Sequence, residues 1–236
     1  MTHDVLDLPP PAAVLFDLDG TLVDTVETRI GAWLRALEEA GYPTTHDRLA
    51  PLIGIDGRRL AREIAALAGT ALDDDAVEAI DQRSGELYAG LNRDPRPLPG
   101  VAELVGVLDS RGIAWAIATS SRREQVAESV RALGLPVAPR IVDASHVEHA
   151  KPAPDLLLLA ADQLGVEPAH CWYVGDSTWD MVAAVAAGMI AVGVTAGAAV
   201  DAATLEGVGA SVVVASLADL AGAIVAGRPV DATTDG

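Results

Sequence analysis

The sequence contains little cysteine and few basic residues. Its one cysteine, Cys171, cannot form a disulfide within the chain. Lysine and arginine together number 16 against 34 aspartates and glutamates, which gives a formal net charge of −18 at pH 7. Because such a charge repels nucleic-acid phosphates and anionic lipid headgroups, we expect no nucleic-acid partner and no membrane partner.

A hydrophobic run of the kind that spans a membrane is also missing. Residues 181–200 carry no charge, but they are mostly alanine and glycine, and Asp180 and Asp201 flank them instead of basic residues. A buried helix followed by a strand at residues 189–194 explains this segment better. The apolar run at residues 12–16 is too short for the core of a signal peptide, so we expect a cytoplasmic protein.

The pattern of apolar residues predicts an α/β fold with a helical insertion. Helical spacing covers three stretches with no strand between them, at residues 25–40, 57–68 and 73–91. From residue 101 onward, helices alternate with short apolar runs, which is typical of a doubly wound parallel sheet. We predict a Rossmann-like core over residues 1–24 and 93–236 and a helical insertion over residues 25–92. Residues 1–11 are expected to form a loose arm, and the tail after Arg228 to be disordered.

Two carboxylates stand where the first predicted strand ends. Asp17 and Asp19 follow the apolar run at 12–16, which is typical of a buried parallel strand. They would share a face if the strand kept its period of two, and Gly20 permits a sharp turn directly after them. Since α/β sheets bind ligands at the carboxyl ends of strands, both acids are candidates for catalysis. The alternative is helix capping, which suits Asp19 better than Asp17.

Two more aspartates lie in the segment GDSTWD at residues 175–180. Asp176 follows the apolar run CWYV, and Asp180 precedes a helix predicted to begin near Met181. We expect the carboxylates of Asp17, Asp19, Asp176 and Asp180 to converge in one crevice. Two like charges about 4 Å apart repel by roughly 4 kcal/mol at an effective dielectric of about 20, so the cluster requires raised pKa values or a cation. Because all these ligands are oxygens, Mg²⁺ is the expected cofactor.

Lysine occurs once, at Lys151 in HAKPAPD, and the remaining basic residues are all arginine. A compact ammonium can lie between a carboxylate and a phosphate oxygen where a planar guanidinium cannot, which would explain a retained lysine. Chance in a lysine-poor chain is the alternative. Residues Thr119, Ser120 and Ser121 stand between a predicted strand and a predicted helix, where hydroxyls and N–H groups can bind an anion or can merely cap the helix.

These segments, in this order, resemble the four motifs of the haloacid dehalogenase superfamily. The motifs are FDLDGT at 16–21, Thr119 at a strand end, KPAPD at 151–155 and GDSTWD at 175–180. The resemblance covers the whole chain, and the helical insertion resembles the small helical cap of phosphoglycolate phosphatases and β-phosphoglucomutases. It therefore implies a phosphate-transferring enzyme with a Rossmann-like core and a cap.

The resemblance also implies roles for individual residues. Asp17 would be the nucleophile that forms an aspartyl-phosphate, and Asp19 would protonate the leaving alcohol and then deprotonate the attacking water. Thr119 and the Ser120 backbone N–H would hold the phosphoryl oxygens, and Lys151 would neutralise Asp17 and the phosphate.

The Mg²⁺ ligands implied by the resemblance come from the same segments. They would be the carboxylates of Asp17 and Asp176 and the backbone carbonyl of Asp19, with Asp180 in support. We group Gly20 with the phosphate-binding residues. In the insertion, Arg58 of PLIGIDGRR is a candidate for binding an anionic distal group of the substrate, although a solubilising surface arginine is the alternative.

The function expected from these residues is that of a Mg²⁺-dependent phosphatase. Its partner would be a small phosphorylated metabolite, phosphoglycolate-like or a sugar phosphate, and the protein would be a monomer or a homodimer. A phosphohexomutase is the alternative among enzymes, and a catalytically silent binding module is a further one. The β-phosphoglucomutases have a histidine where this chain has Arg29, and a cap-loop arginine where it has Gly57, so the residues favour the phosphatase. Trp179 could contact substrate or wedge its loop against the cap.

Overall fold

The computed structural model describes residues 5–226, and a parallel sheet forms its centre. Its strands are β1 Ala13–Phe16, β2 Ala114–Ala118, β3 Ile141–Val142, β4 Cys171–Gly175, β5 Ile190–Val194 and β6 Val212–Val214. They lie in the order β3-β2-β1-β4-β5-β6, and each pair of neighbours is parallel. The strand order reverses at β1 and β4, which creates a crevice at their carboxyl ends. The predicted doubly wound α/β fold is confirmed.

Helices connect the strands and also form the insertion between β1 and β2. The helices are α1 Val26–Glu39, α2 His46–Leu49, α3 Gly57–Leu67, α4 Asp74–Leu91, α5 Val101–Ser110, α6 Arg123–Ala132, α7 Asp155–Leu164, α8 Thr178–Ala186, α9 Ala202–Gly207 and α10 Leu217–Ala226. Four of them, α1 to α4, lie between β1 and α5 with no strand among them. Helices α1, α3 and α4 agree with the three predicted helical stretches to within a few residues, whereas the four-residue helix α2 was not predicted.

The central strand β1 divides the core into two layers. Its four residues are fully buried, and they alternate between the faces of the sheet as the period of a strand requires. Val14 and Phe16 pack in a cluster that contains residues of α5 and α10. Ala13 and Leu15 pack in a second cluster that contains residues of α7 and α8. Burial on both faces fixes the position of β1, and with it the position of the residues that follow.

The inserted helices have a hydrophobic cluster of their own. Its buried members include Ile30 and Trp33 from α1, Leu60 from α3 and Ile80 from α4. Trp179, which precedes Asp180 at the start of α8, packs against the same cluster and thereby joins the insertion to the core. The predicted domain boundaries at residues 24 and 93 stay a prediction.

Three expectations about local structure require correction or limits. The loose arm is wrong for residues 5–11, because Val5 is buried and the Trp172 indole N–H donates to the Pro9 carbonyl at 3.0 Å. Residues 1–4 and the predicted disordered tail after Arg228 lie outside the described residues. Helix α8 begins at Thr178 and not near Met181, because the Ser177 side chain caps it. Helix α9, strand β6 and helix α10 were not predicted from the sequence, and of these α9 and β6 have only six and three residues.

The uncharged segment at residues 181–200 does not form one long helix. It contains most of α8 and then all of β5, as predicted. Among residues 5–226, no helix combines the length and the apolar character that crossing a membrane demands.

Candidate active site

The predicted site residues lie at the carboxyl ends of three adjacent strands. In the register of the sheet, Phe16 of β1 lies beside Ile117 of β2 and Val174 of β4. Asp17, Thr119 and Asp176 follow these strands, and parallel strands bring such positions to one edge. A cavity of about 50 Å³ opens there. Its lining includes Asp17, Asp19, Thr119, Ser120, Lys151 and Asp176.

Lys151 is the buried centre of the site. Its ammonium donates to Asp17 Oδ1 and to Asp180 Oδ1, both at 2.6 Å, and to the Tyr173 hydroxyl at 3.2 Å. The side chain is fully buried. Burial alone would lower the pKa of Lys151, but the charges of Asp17 and Asp180 outweigh it and hold the pKa above its usual value. The lysine is therefore a fixed positive charge between two carboxylates.

Three carboxylates form a cluster around this charge. One oxygen each of Asp17, Asp176 and Asp180 lies within 4.8 Å of the others. Burial and the charge of Asp180, against the opposing effect of Lys151, raise the pKa of Asp17 to about 7. Burial and the same like charges raise the pKa of Asp176 well above its usual value. One lysine cannot neutralise three carboxylates, so this set of oxygen ligands fits a hard divalent cation such as Mg²⁺.

Asp180 and Asp176 are oriented by hydroxyl groups. Asp180 Oδ2 accepts from the Ser177 backbone N–H at 3.0 Å and from the Ser177 hydroxyl at 2.6 Å, which closes a capping box at the start of α8. Its other oxygen accepts from Lys151. Asp176 Oδ1 accepts from the Thr21 hydroxyl at 2.8 Å. Helix capping therefore aims Asp180 at the lysine.

Asp19 lines the same cavity as Asp17 and Asp176, but its carboxylate does not join the cluster of three. Its side chain is absent from the cluster and faces the inserted helices. Asp19 Oδ2 accepts from Arg29 at 2.6 Å and from the Ser121 hydroxyl at 2.9 Å, while Oδ1 accepts from Thr25 and Tyr88 at 2.7 Å each. The reason is that β1 ends at Phe16 and the chain turns through Gly20, so the period of a strand does not continue to Asp19.

The surroundings of Asp19 stabilise its charged form. Burial would raise its pKa, but the Arg29 charge and the hydrogen bonds from Thr25 and Tyr88 lower the pKa below its usual value. The Arg29 guanidinium also lies 3.7 Å from the centroid of the Tyr88 ring, within range of a cation–π interaction. Asn92 Nδ2 donates to the Tyr88 hydroxyl at 3.0 Å. Asp19 is thus an ionised carboxylate with four donors.

Sequence analysis missed most of these partners of Asp19. Arg29 was noticed only because it differs from the mutases, and Tyr88 was not noticed. A signal for Arg29 exists, since it lies one helical turn after Thr25 in the helix that follows the first motif. Tyr88 comes from α4, and only the packing of α4 against α1 brings it to the site.

Thr119 and Ser120 lie in the cavity, and neither caps the following helix. The residue that precedes α6 is Arg122, so the alternative that residues 119–121 form an N-cap is wrong. The Thr119 side chain accepts from the Ser121 backbone N–H at 3.2 Å. The Ser120 hydroxyl is buried and has no hydrogen-bond partner among the described residues. This pair leaves polar groups available for a bound anion.

Four predicted site residues do not line the cavity, and these are Gly20, Arg58, Trp179 and Asp180, although Asp180 contacts Lys151. The Arg58 side chain is 44% exposed and lies 3.4 Å from Asp56, on a neighbouring surface groove. The Trp179 indole N–H donates to the Pro51 carbonyl at 2.9 Å. Trp179 therefore wedges its loop against the insertion, which is one of the two interpretations that the sequence left open.

Comparisons with known proteins agree with the geometry of the site. The family profile described as haloacid dehalogenase-like hydrolase matches residues 14–194, from β1 through β5. The chain is 35% identical over 186 residues to fructose-1-phosphate phosphatase YqaB of Escherichia coli (strain K12), which covers 78% of this chain and 96% of that protein. It is 33% identical over 187 residues to a phosphoglycolate phosphatase of Xylella fastidiosa (strain 9a5c), which covers 76% and 78%. The crystal structure of a hydrolase from Pseudomonas syringae matches with a TM-score of 0.84 at 33% identity, over 88% of this chain and 95% of that chain.

Proposed function

The chain belongs to the haloacid dehalogenase-like hydrolases and is a phosphoric monoester hydrolase, and from this premise we propose that it is a Mg²⁺-dependent phosphatase that forms an aspartyl-phosphate on Asp17. Its substrate would be a small phosphorylated metabolite. The observation that carries the proposal is the buried Lys151, which contacts both Asp17 and Asp180 beside the carboxylate of Asp176. Catalytic roles for these residues account for a cluster of like charges that otherwise only destabilises the fold.

Asp17 is suited to attack phosphorus. It follows the most central strand, it is buried, and its Oδ1 is held by Lys151 at 2.6 Å. A carboxylate oxygen of Asp17 would attack phosphorus, and the ester bond between phosphorus and the leaving oxygen would break with its electron pair going to that oxygen. Lys151 would neutralise the negative charge that Asp17 and the phosphoryl group share, and Thr119 and Ser120 would bind the phosphoryl oxygens.

Mg²⁺ would be held by the carboxylates of Asp17 and Asp176 and by the backbone carbonyl of Asp19. The hydrogen bonds of Asp180 to Ser177 and Lys151 make it a supporting residue. When bound, the ion supplies charge stabilisation for the phosphoryl oxygens. Burial and, after it, repulsion between like charges raise the pKa values of Asp17 and Asp176, and a cation at this place would favour their ionised forms against both effects.

Asp19 would exchange protons with the leaving group and with water. Protonated Asp19 would give its proton to the leaving alkoxide, which then departs as an alcohol. The resulting Asp19 carboxylate would take a proton from water as the oxygen of that water attacks phosphorus. The bond between phosphorus and Asp17 would break, which releases phosphate and regenerates the Asp17 carboxylate.

The contacts of Asp19 favour the form that would serve the second of these steps. Its bonds to Arg29, Thr25, Tyr88 and Ser121 stabilise a carboxylate, which is the base. To act as the acid, Asp19 would have to exchange the Arg29 ion pair for a proton. Arg29 lies on α1 of the insertion, so movement of the inserted helices would separate the pair.

Substitution of the proposed nucleophile tests the mechanism. Asp17→Asn should fold and should lose phosphatase activity by about 10³-fold or more, because an amide cannot attack phosphorus. Activity is measured as phosphate release from p-nitrophenyl phosphate and a panel of phosphorylated metabolites, with Mg²⁺ and with EDTA. The wild-type enzyme, quenched in acid during turnover, should carry the added mass of one phosphoryl group, and Asp17→Asn should not.

A matched variant controls for loss of charge in the same segment. Asp24→Asn changes an exposed aspartate seven positions after Asp17 and should retain activity. Turnover by purified Asp17→Asn at a rate near that of the wild type, or a phosphoryl adduct on that variant, would contradict the proposed nucleophile. Full activity in EDTA would contradict the need for a divalent cation.

A further inference from the structure

The part of the cavity that remains beyond the proposed phosphate site has both polar and apolar walls. Its polar groups are Asp81 and Ser84 of α4 and Gln125 of α6. Its apolar walls are formed by buried side chains of the insertion, which include Trp33, Ile55 and Leu60. A leaving group bound here would therefore contact hydrogen-bonding groups together with carbon surfaces.

The positive charges of this cavity are already committed to carboxylates. Among the described residues that line it, the cations are Arg29 and Lys151. Arg29 is paired with Asp19 at 2.6 Å, and Lys151 is paired with Asp17 and Asp180. A further carboxylate on the substrate would thus find no unpaired cation in this lining.

Asp81 adds a negative charge where the leaving group would lie. Its side chain is only 14% exposed, and its Oδ2 accepts from Arg122 at 2.9 Å. The same Arg122 nitrogen also donates to Glu78 at 2.8 Å, so one guanidinium is shared by two carboxylates. A carboxylate on the leaving group would approach a site that already has an excess of negative charge.

The polar groups match the hydroxyls of an alcohol. Asp81 and Ser84 are three residues apart on α4 and lie on one face of the helix. Gln125 Oε1 accepts from the Arg122 backbone N–H at 3.2 Å, which leaves the Nε2 group as its donor end. That nitrogen lies against Gly85, where a Cβ atom would be 2.2 Å away. The lining thus provides a carboxylate acceptor, a hydroxyl and an amide donor.

We propose that the substrate is the phosphate ester of a neutral, polyhydroxylated alcohol, such as a sugar or polyol phosphate, and not of a hydroxy acid. This inference rests on the phosphatase function proposed above. Asp81, Ser84 and Gln125 bind the hydroxyls of the leaving group, and Trp33 packs against its C–H surface. Sites built to hydrogen-bond a substrate discriminate strongly against analogues that leave those groups unpaired.

Two pairs of substrates that differ in one group test the proposal. In each pair a CH₂OH group replaces a carboxylate: 2-hydroxyethyl phosphate against phosphoglycolate, and glycerol 3-phosphate against 3-phosphoglycerate. With the wild-type enzyme and Mg²⁺, kcat/KM should be higher for the alcohol of each pair by about 100-fold. Equal values, or higher values for the carboxylates, would overturn the proposal.

Variants of α4 locate the source of the preference. Asp81→Asn should reduce the ratio of alcohol to carboxylate kcat/KM by about tenfold, because it removes the repelling charge. Ser84→Ala should lower kcat/KM for glycerol 3-phosphate by about tenfold through loss of one hydroxyl contact. Asp75→Asn removes a charge from an exposed position of the same helix and should leave both ratios unchanged. An unchanged ratio in Asp81→Asn would overturn the role of Asp81.

The same assays distinguish a failure of this substrate class from a failure of the proposed phosphatase function. Hydrolysis of p-nitrophenyl phosphate, or of either carboxylate, without a preference for the alcohols would refute the substrate class and leave the phosphatase function standing. Absence of phosphate release from every compound, p-nitrophenyl phosphate included, would refute the phosphatase function itself.

Discussion

The burial of Lys151 supports the charge-neutralising role that its being the one lysine of the sequence only suggests. Its ammonium is fully enclosed and lies 2.6 Å from oxygens of both Asp17 and Asp180. Charges taken out of water at this depth are stable only when well paired, and loss of the lysine would leave buried carboxylates without their cation, at a cost of about 3–5 kcal/mol. The lysine and its carboxylates therefore depend on one another for both stability and charge balance.

The first prediction concerns a substitution at Lys151 that preserves charge. Lys151→Arg should lose nearly as much activity as Lys151→Ala, by about 100-fold or more, because a planar guanidinium cannot occupy the space of an ammonium between two carboxylates. Phosphate release is measured for both variants, and thermal unfolding confirms that each is folded. Retention of most activity by Lys151→Arg would mean that any cation suffices there.

The residues of the site differ in how far the sequence predicts them. Asp17, Asp176 and Thr119 follow apolar runs, and parallel strands place their ends together, so their convergence could be predicted. The orientation of Asp19 could not, because it depends on a turn and on donors from distant helices. Tyr88 reaches Asp19 only through the packing of α4 against α1, which leaves no local pattern in the sequence.

The turn after β1 places the proposed nucleophile beside the second carboxylate motif. Gly20 has a φ of +83°, a conformation that disfavours residues with a side chain. A Cβ atom at this position would lie 2.3 Å from Asp176 Oδ2. The turn and the strand end of β4 therefore approach so closely that only glycine fits between them.

The second prediction separates two effects on the free energy of unfolding, which are the close contact with Asp176 and the backbone strain of a side chain at positive φ. Gly41 has nearly the same φ, +84°, and a Cβ atom there would have nothing within 4 Å. Gly41→Ala should therefore cost about 1 kcal/mol of unfolding free energy, whereas Gly20→Ala should cost roughly 3 kcal/mol or more and abolish phosphatase activity. Denaturant unfolding of both variants provides the comparison. Equal destabilisation would show that contact with Asp176 adds nothing.

A loop of the insertion is tied to the same motifs. The Asp56 backbone N–H donates to the Lys151 carbonyl at 3.1 Å, and the Trp179 indole N–H donates to the Pro51 carbonyl at 2.9 Å. These contacts close the cavity from the side of the insertion. The sequence predicted the inserted helices from their spacing, but not this docking, because single hydrogen bonds between distant segments have no periodic signature. The strand β6 was not predicted either, because an apolar run of three residues is too short to be distinctive.

The net charge of −18 has a counterpart inside the molecule, where three buried carboxylates share one lysine. The ionisation of these carboxylates makes the stability of the folded protein depend on pH. Burial raises the pKa of Asp17 from 3.8 to about 7, so the folded protein binds this proton more tightly than the unfolded chain does. The contribution of this proton to the stability of the folded protein is complete below about pH 4 and is lost as the pH rises through about 7. Asp176, whose pKa is also raised, acts in the same direction. Asp19 has the opposite sign, but its contribution changes only in more acidic solution.

The third prediction follows for the protein without metal. In EDTA, the melting temperature should fall as the pH rises from about 5 to about 8, by about 2–4 °C for each kcal/mol lost. Mg²⁺ should raise the melting temperature more at the higher pH, because it binds the ionised carboxylates. Asp17→Asn should weaken the dependence on pH and be at least as stable as the wild type in EDTA, since it removes one of the repelling charges. A melting temperature in EDTA that rises over this range would contradict the assignment.

The last prediction distinguishes a phosphatase from a mutase, and it depends on how the insertion meets the core. A mutase must hold a phosphorylated sugar while it reorients and must keep water from the aspartyl-phosphate. The two positions at which β-phosphoglucomutases are expected to carry polar groups for this purpose are Arg29 and Gly57 in this chain. Arg29 is bonded to Asp19, and a Cβ atom at Gly57 would lie 2.0 Å from Asp81 Oδ1 and 3.1 Å from the Trp33 ring. In this arrangement no side chain fits at position 57.

Since Arg29 and Gly57 cannot hold a released sugar phosphate while it reorients, water should reach the aspartyl-phosphate first. β-Glucose 1-phosphate, supplied with a bisphosphate primer and Mg²⁺, should therefore yield free phosphate and little or no glucose 6-phosphate. A coupled dehydrogenase assay for glucose 6-phosphate, run in parallel with a phosphate assay, measures both products. Formation of glucose 6-phosphate faster than phosphate release would favour the mutase, because only an intermediate protected from water can return its phosphoryl group to a sugar.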